Sequence, residues 1–256
     1  EGEVLSQTML IIHGEATPIQ NLLNAVEDVP VKVCDAAFSA LCAGLAVLSP
    51  EQKTAGVAVL DLGAGTTGYI AYANRVLACA GSIGVGGDHV TNDIVSGLRL
   101  PHAMAEQLKV EYGSAVPRPA YRHRVVSLPA DGAFPERNIR LSDLDAITHA
   151  RLDELLRWIR ADLDSLGILH QLGAGIVLTG GGALLSGIVD LAEQVFNMPC
   201  EIGRPYKVSG LSQVTSAPGY AAVIGMLRYG VRMKSHGPRR PGLKQLFVRL
   251  LMGPPS

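Results

Sequence analysis

VLDLGAGTTGYIAY, residues 59–72, carries glycines at positions 63, 65 and 68 in the spelling G-x-G-x-x-G. In a dinucleotide-binding βαβ unit the third glycine opens a helix whose N-terminus holds a pyrophosphate. Here Gly68 leads into Tyr69-Ile70-Ala71-Tyr72, which favours a strand. Asp88 stands at the distance of a ribose-binding acid, but it follows Gly86-Gly87 and opens a helix, whereas that acid closes a second strand. The stretch therefore reads as strand, turn, strand. "GVAVLDLG" from Gly56 suits a strand buried on both faces, "TTGYIAYA" returns, Asn74-Arg75 turns and "VLACAG" pairs back. In such a hairpin, backbone N–H groups can face an anion with no Cβ in the way. Thr66 and Thr67 add hydroxyl donors, and Asp61 suits a magnesium ion held through water. An ordinary glycine hairpin fits the same letters, so the decision rests on what stands elsewhere.

Three further features stand in order after it. "GVGGDHVTNDIVSGL" is a glycine loop with Gly84, Gly86 and Gly87, then Asp88 as N-cap and Val90, Ile94, Val95 and Leu98 at helical spacing. "AEQLK" places Glu106 and Lys109 one helical turn apart on one face, either as a solvated salt bridge or as site residues. "GIVLTGGGALLSGI", 175–188, is a second strand and glycine turn, where Gly180, Gly181 and Gly182 let a planar base or ribose approach the backbone.

Around these, residues 9–12 and 29–35 read as short strands and 17–27 as a helix capped by Thr17 with Pro18 in its first turn. Ala36 to Leu48 reads as a buried helix, being too short for a membrane span. A helix is expected over 101–113, and 114–140 reads as loop or irregular strand. A long amphipathic helix capped by Ser142 runs to about Leu166, with Trp158 on its core side beside Leu155, Leu156 and Ile159. "AGIVL" and "CEIG" are strands, 184–196 and 217–229 helices, and 231–242 a basic Pro/Gly linker.

Composition narrows the classes. The 256 residues are 48% hydrophobic and 18% charged, enough for a packed core, and the formal net charge of −1 argues against a nucleic-acid protein. "YRHRVV" (121–126) is a short basic stretch that suits a partner-binding or solvated edge better. Cys34, Cys42, Cys79 and Cys200 show no metal-ligand spacing and read as reduced, mostly buried thiols. "AGSIG" (80–84) misses the nucleophile-elbow pattern by its first glycine. The chain opens at Glu1 with neither a methionine nor a signal-peptide pattern, which leads us to expect part of a longer protein.

In order and spacing, D-x-G-x-G-T-T, G-x-G-G-D, A-E-x-x-K and G-x-x-L-T-G-G-G resemble the second half of the superfamily of actin, sugar kinases and heat-shock chaperone ATPases. Within it, "GIVLTGGGALLSGI", "EIGRPYKVSGL" and "YAAVIGMLRYG" resemble the C-terminal half of the FtsA family of bacterial cell-division actin homologues. The likeness covers 55–112 and 141–230 well and 1–50 more loosely. It implies an α/β, actin-like ATPase (ribonuclease H-like) fold, second half, with a smaller inserted subdomain. Residues 1–54 would end the N-terminal half, 55–87 and 173–230 form the core subdomain, and 88–172 the insertion. Asp61, Gly63, Gly65, Thr66 and Thr67 would be the second phosphate loop, and Gly180, Gly181 and Gly182 the adenosine motif. Glu106 and Lys109 would touch ribose or adenine, with Gly86 and Gly87 near the cleft. ATP and Mg2+ follow as cofactors, with slow or absent turnover, because nothing here supplies the family's first phosphate loop. The partners implied are the tubulin-like division protein FtsZ, further copies of the chain in filaments, and a membrane surface. The location implied is the cytoplasmic face of the cell membrane at the division site. A pilus-assembly scaffold of the PilM kind and a sugar-kinase-type phosphotransferase are the competing readings.

"GLKQLFVRLLM" (242–252) sets Leu243, Leu246, Phe247, Leu250 and Leu251 on one helical stripe, with Lys244 and Arg249 outside it and Arg239-Arg240 before it. A basic amphipathic helix on a linker suits an anionic membrane surface, and docking back on the protein is the other reading. The family resemblance implies a membrane-targeting helix here, over 243–256.

Overall fold

The computed structural model describes residues 9–29, 31–130, 135–208 and 216–235. In chain order it has α1 (Ala16–Glu27), α2 (Ser39–Val47), α3 (Pro50–Ala55), β1 (Val57–Leu62), β2 (Thr67–Ala73) and β3 (Val76–Ile83). Then come α4 (Gly87–Leu98), α5 (His102–Tyr112), β4 (Val125–Leu128), β5 (Arg137–Arg140), α6 (Leu141–Ser165), β6 (Ile176–Thr179), α7 (Ile188–Phe196), β7 (Cys200–Ile202) and α8 (Ala221–Ser235).

The expected meander is present. β1, β2 and β3 pair antiparallel in sequence, and the sheet continues on the other side of β1 in the order β3-β2-β1-β6-β7. β6 runs parallel to β1 and β7 parallel to β6. Parallel pairing sets Asp61 opposite Thr179 in register, so the two glycine-rich turns leave the same edge of the sheet. The carboxyl ends of parallel strands are where an open α/β sheet makes its crevice.

Side-chain alternation gives each face of the sheet its own core. Ala58, Leu60, Leu62, Tyr69, Ile176 and Leu178 pack with α4, α6 and α7, while Val57, Val59, Ile70 and Val177 pack with α2 and α8. α2 is made of small apolar residues and lies flat between sheet and α8. The Arg228 guanidinium of α8 donates to Leu45 O and Ala46 O, the orphan carbonyls near the end of α2, and lies over the Tyr206 ring.

Between β3 and β6 the chain builds a second body from α4, α5, the β4–β5 hairpin and α6. α6 buries Leu144, Thr148, Leu152, Leu155, Leu156, Ile159 and Leu163, a stripe at helical spacing. Arg118 donates to both carboxylate oxygens of Asp145, which is 1% exposed, and to Tyr112 O. That pair ties the segment after α5 to α6.

Several expectations change. Residues 9–12, 29 and 31–35 are not in strands: Met9 and Ile11 are exposed, and among the described residues no strand lies beside either stretch. β-propensity expresses a fit to a neighbouring pleated surface, and that surface is not there. α1 has Glu15, not Thr17, at its N-cap and buries no residue. The stretch 114–140 contains the β4–β5 hairpin, paired from Val125–Arg140 to Leu128–Arg137. α6 is capped by Arg140, with Ser142 inside the helix, and Trp158 lies off the buried stripe, 43% exposed. α4 begins at Gly87 with Gly86 as N-cap, so Asp88 sits in the first turn. A 3-10 turn over Gly181–Leu184 delays α7 to Ile188, and α8 runs on to Ser235, into the expected linker. Residues 236–256, with the whole amphipathic tail, lie outside the described residues.

Candidate functional site

The turn after β1 closes on itself: the Gly63 N–H donates to Thr66 O at 3.0 Å and to Asp61 O at 3.1 Å. The loop before α4 then comes down on it. Gly87 N–H donates to Gly63 O and Asp88 N–H to Ala64 O, both at 2.9 Å. A Cβ on Gly86 would stand 2.4 Å from Ala64 O and 2.6 Å from Gly63 O, so only glycine lets these backbones meet. The first amides of α4 are therefore engaged by protein carbonyls. The His89 ring accepts from the Gly86 N–H through Nδ1 and completes the cap.

Thr67 is buried and donates its hydroxyl to Val85 O at 2.8 Å. Its hydrogen binds one loop to the other, which leaves Thr66, exposed with Ala64 and Gly65, as the open hydroxyl of the turn. Asp61 is half-buried at the strand end, and burial pushes its carboxyl above the usual carboxylate range. The second turn lies against it. Gly180 has φ +83°, and a Cβ there would be 2.6 Å from Asp61 Oδ1. Behind it the Thr179 hydroxyl lies 3.1 Å from Gly203 O and 3.2 Å from Pro218 O.

Gly65, Gly84, Gly181 and Gly230 share one property among the described glycines, open space where a Cβ would stand, and Gly65 and Gly181 are the two that lie in the glycine-rich turns after β1 and β6. At Gly65 and at Gly181 an added Cβ would meet no protein atom within 4 Å, and neither has a positive φ. Both turns thus present bare backbone to open space.

Beside Gly181 that space is a cavity of about 310 Å³. One wall is Leu62, Gly63, Ala64 and Thr67, another Gly86, Gly87 and Asp88, and a third Gly181, Gly182, Leu184 and Leu185. The second body closes it with Glu106, Lys109 and Val110 of α5 and Leu152 and Leu155 of α6. Gly63, Thr67, Gly86, Gly87, Glu106, Lys109, Gly181 and Gly182, singled out in the sequence, therefore line one cleft. Asp61, Gly65, Thr66 and Gly180 flank it on the same two turns. The apolar wall of Val110, Leu152 and Leu155 was missed, because at helical spacing these residues look like ordinary core.

Lys109 and Glu106 form an ion pair at 2.7 Å, with Lys109 nearly buried and Glu106 42% exposed in its side chain. Thr91 of α4, which no sequence pattern marks, stands between them: its hydroxyl is 2.5 Å from Glu106 Oε2 and 2.8 Å from Lys109 Nζ. Burial pushes the Glu106 carboxyl up, but hydrogen bonds from Lys109 and Thr91, and the charges of Lys109 and His102, outweigh it and hold it below the usual range. Among the described residues no three His, Cys, Asp or Glu side chains gather as metal ligands. A cation here would have to complete its shell from water and from an anionic ligand.

Comparison with known proteins bears on what this cleft holds. The family model for cell division protein FtsA matches residues 58–225. Cell division protein FtsA of Pseudomonas aeruginosa is 35% identical over 218 residues, 85% of this chain and 52% of that protein. The Escherichia coli K12 protein of the same name is 32% identical over 225 residues, 85% of this chain and 54% of that protein. The chain spans about half the length of the curated relatives it matches. Among solved structures, MreB5 of Spiroplasma citri bound to ADP superposes with a TM-score of 0.68 at 20% identity, over 87% of this chain and 68% of that one. The MamK double helical filament gives 0.63 at 16% identity, over 85% and 65%. PilM in its type IV pilus biogenesis complex with PilN gives 0.61 at 18%, over 83% and 57%. At such identities the likeness shows the fold, which is that of the actin-like ATPases.

Proposed function

The chain belongs to the FtsA family of cell division proteins, and we propose on that premise that its cleft binds ATP with magnesium as an assembly device rather than as an engine of turnover. The observation that carries this is that each of the two turns at the cleft has a glycine, Gly65 in one and Gly181 in the other, that the protein's own packing does not require. A ligand lying on bare backbone does require them. In this reading the open backbone around Gly65 and the Thr66 hydroxyl hold the phosphates. Gly181 and Gly182 pass beneath the ribose, and the base enters toward Val110, Leu152 and Leu155. Asp61 takes a water of the magnesium shell; the ion supplies charge neutralisation between the phosphates and this carboxylate.

Nucleotide held between the core subdomain and the α4–α6 body favours the arrangement it fits best, and so shifts the population. Self-association into actin-like filaments is the assembly this reading favours, and the MamK filament, a structure of the same fold, supports it. The tail stripe of Leu243, Leu246, Phe247, Leu250 and Leu251, with Lys244 and Arg249, would attach those filaments to the inner face of the cell membrane at the division site and tether FtsZ there. A helix this short binds weakly per copy, and polymerisation multiplies it. No described helix is long and apolar enough to cross a membrane. The PilM reading loses ground to family membership, and the sugar-kinase reading has only the fold in its favour.

The test is saturable binding of a fluorescent ATP analogue with magnesium by this chain. Asp61→Ala with Thr66→Ala should abolish it; undiminished binding by that variant would remove the phosphate-loop assignment.

A further inference from the structure

Lys109 has three ammonium hydrogens, and three protein acceptors surround it: Gly87 O at 3.0 Å, Thr91 Oγ1 at 2.8 Å and Glu106 Oε2 at 2.7 Å. It keeps no donor for a ligand. Thr91 is fully buried, so no ligand reaches it either. Its single hydroxyl hydrogen has two acceptors in range, Gly87 O at 3.1 Å and Glu106 Oε2 at 2.5 Å, and the shorter, charged contact takes it. The usual fate of a helix threonine, a bond back to the carbonyl four residues earlier, gives way to a link from α4 to α5. Both positioning contacts thus fall on Oε2. Oε1, the second oxygen of this half-exposed side chain in the cleft lining, takes neither: among the described residues both contacts to the carboxylate are on Oε2.

We infer that Thr91 is a positioning residue of the cleft: with Lys109 it holds one oxygen of the Glu106 carboxylate so that the other faces the cleft as an acceptor for a neutral donor, a sugar hydroxyl or an exocyclic amine, on the bound nucleotide. This rests on the nucleotide reading above and narrows it. Of the three polar residues Glu106 alone touches the ligand, and Lys109 and Thr91 act through it. With only one of these two contacts on Oε2 the carboxylate would turn more freely about its terminal torsion and lose that aim.

The experiment uses this chain with Thr91→Val, Thr91→Ala and Thr91→Ser. The first readout is the Glu106 carboxyl followed by NMR through a pH titration. The second is the affinity for magnesium complexes of ATP, 2′-deoxy-ATP and inosine triphosphate, which lacks the exocyclic amine. The inference predicts that valine and alanine raise the Glu106 midpoint and that serine leaves it in place. It also predicts that the wild type prefers ATP over one of the two analogues by about tenfold and that valine and alanine bring this ratio close to one, with serine restoring it. A Glu106 midpoint that does not move, or a ratio unchanged in the valine and alanine variants, overturns the inference while leaving the nucleotide site standing. A wild type that binds none of the three removes the nucleotide reading, and the Glu106 titration still decides whether Thr91 holds the pair.

Discussion

At Asp61 burial raises the carboxyl, and the direction fixes a pH dependence. The folded state holds the proton more tightly than the unfolded one. The stabilisation that follows is complete below the ordinary carboxylate range and is lost as pH rises through the raised folded value. At neutral pH the half-buried carboxyl therefore contributes less stability to the unliganded chain than it does in acid, and Asp61→Asn should melt higher than wild type. The difference should shrink on acidification and vanish below the ordinary Asp range, and thermal melts across pH would read it. Arg118 presents the opposite case. It serves both oxygens of buried Asp145, and Arg118→Ala should cost about 3 kcal/mol in urea unfolding because the carboxylate is left without a partner. At this scale the site was partly legible. Glycines and an acid at a strand end announce themselves by type and spacing, whereas Thr91 has nothing in its neighbourhood along the chain to distinguish it. Its role comes from α5 lying beside α4, which only the folded chain supplies.

Elements were legible where their causes are local. The β1–β3 meander follows from apolar runs cut by glycine and Asn74-Arg75, and α2 from its run of small apolar residues. The β4–β5 hairpin was not, because its strands are four residues each, with three arginine or asparagine residues in β5. Residues 9–12 and 29–35 have strand-like composition without a strand beside them. Trp158 misses the stripe of α6 by its angle around the helix, which a list of neighbouring apolar residues conceals. The contact of the α4 loop with the phosphate-type turn carries its own prediction. Gly86→Ala drives a methyl into two carbonyl oxygens and should destabilise the chain by about 2 kcal/mol, measured by urea unfolding. It should also weaken nucleotide binding, since the turn it displaces is the one proposed to hold phosphate. A variant of wild-type stability and affinity would show that the two loops are not coupled.

For the molecule as a whole, the fold places two turns, far apart in sequence, on one edge of a sheet, and a second body closes the space before them. The parallel β1–β6 pairing is the long-range event on which this depends, and no local pattern in the sequence announces it. In the proposed function, attachment to a surface belongs to the tail and to assembly together. Vesicles rich in anionic lipid should pellet the chain, and removal of residues 239–256 should abolish this. Neutral vesicles should pellet it less, and raising salt should release part of the bound chain. Equal pelleting with and without the tail would end the membrane proposal.

The central claim is that the cleft holds ATP against bare glycine backbone, and Gly181→Val tests it most directly. Nothing in the protein meets the new side chain's first carbon, so the unliganded melting temperature should stay within about 2 °C of wild type. Magnesium-ATP should raise the melting temperature of the wild type, as any ligand specific to the folded state does, and leave that of the variant unmoved. An equal rise in both would contradict the claim.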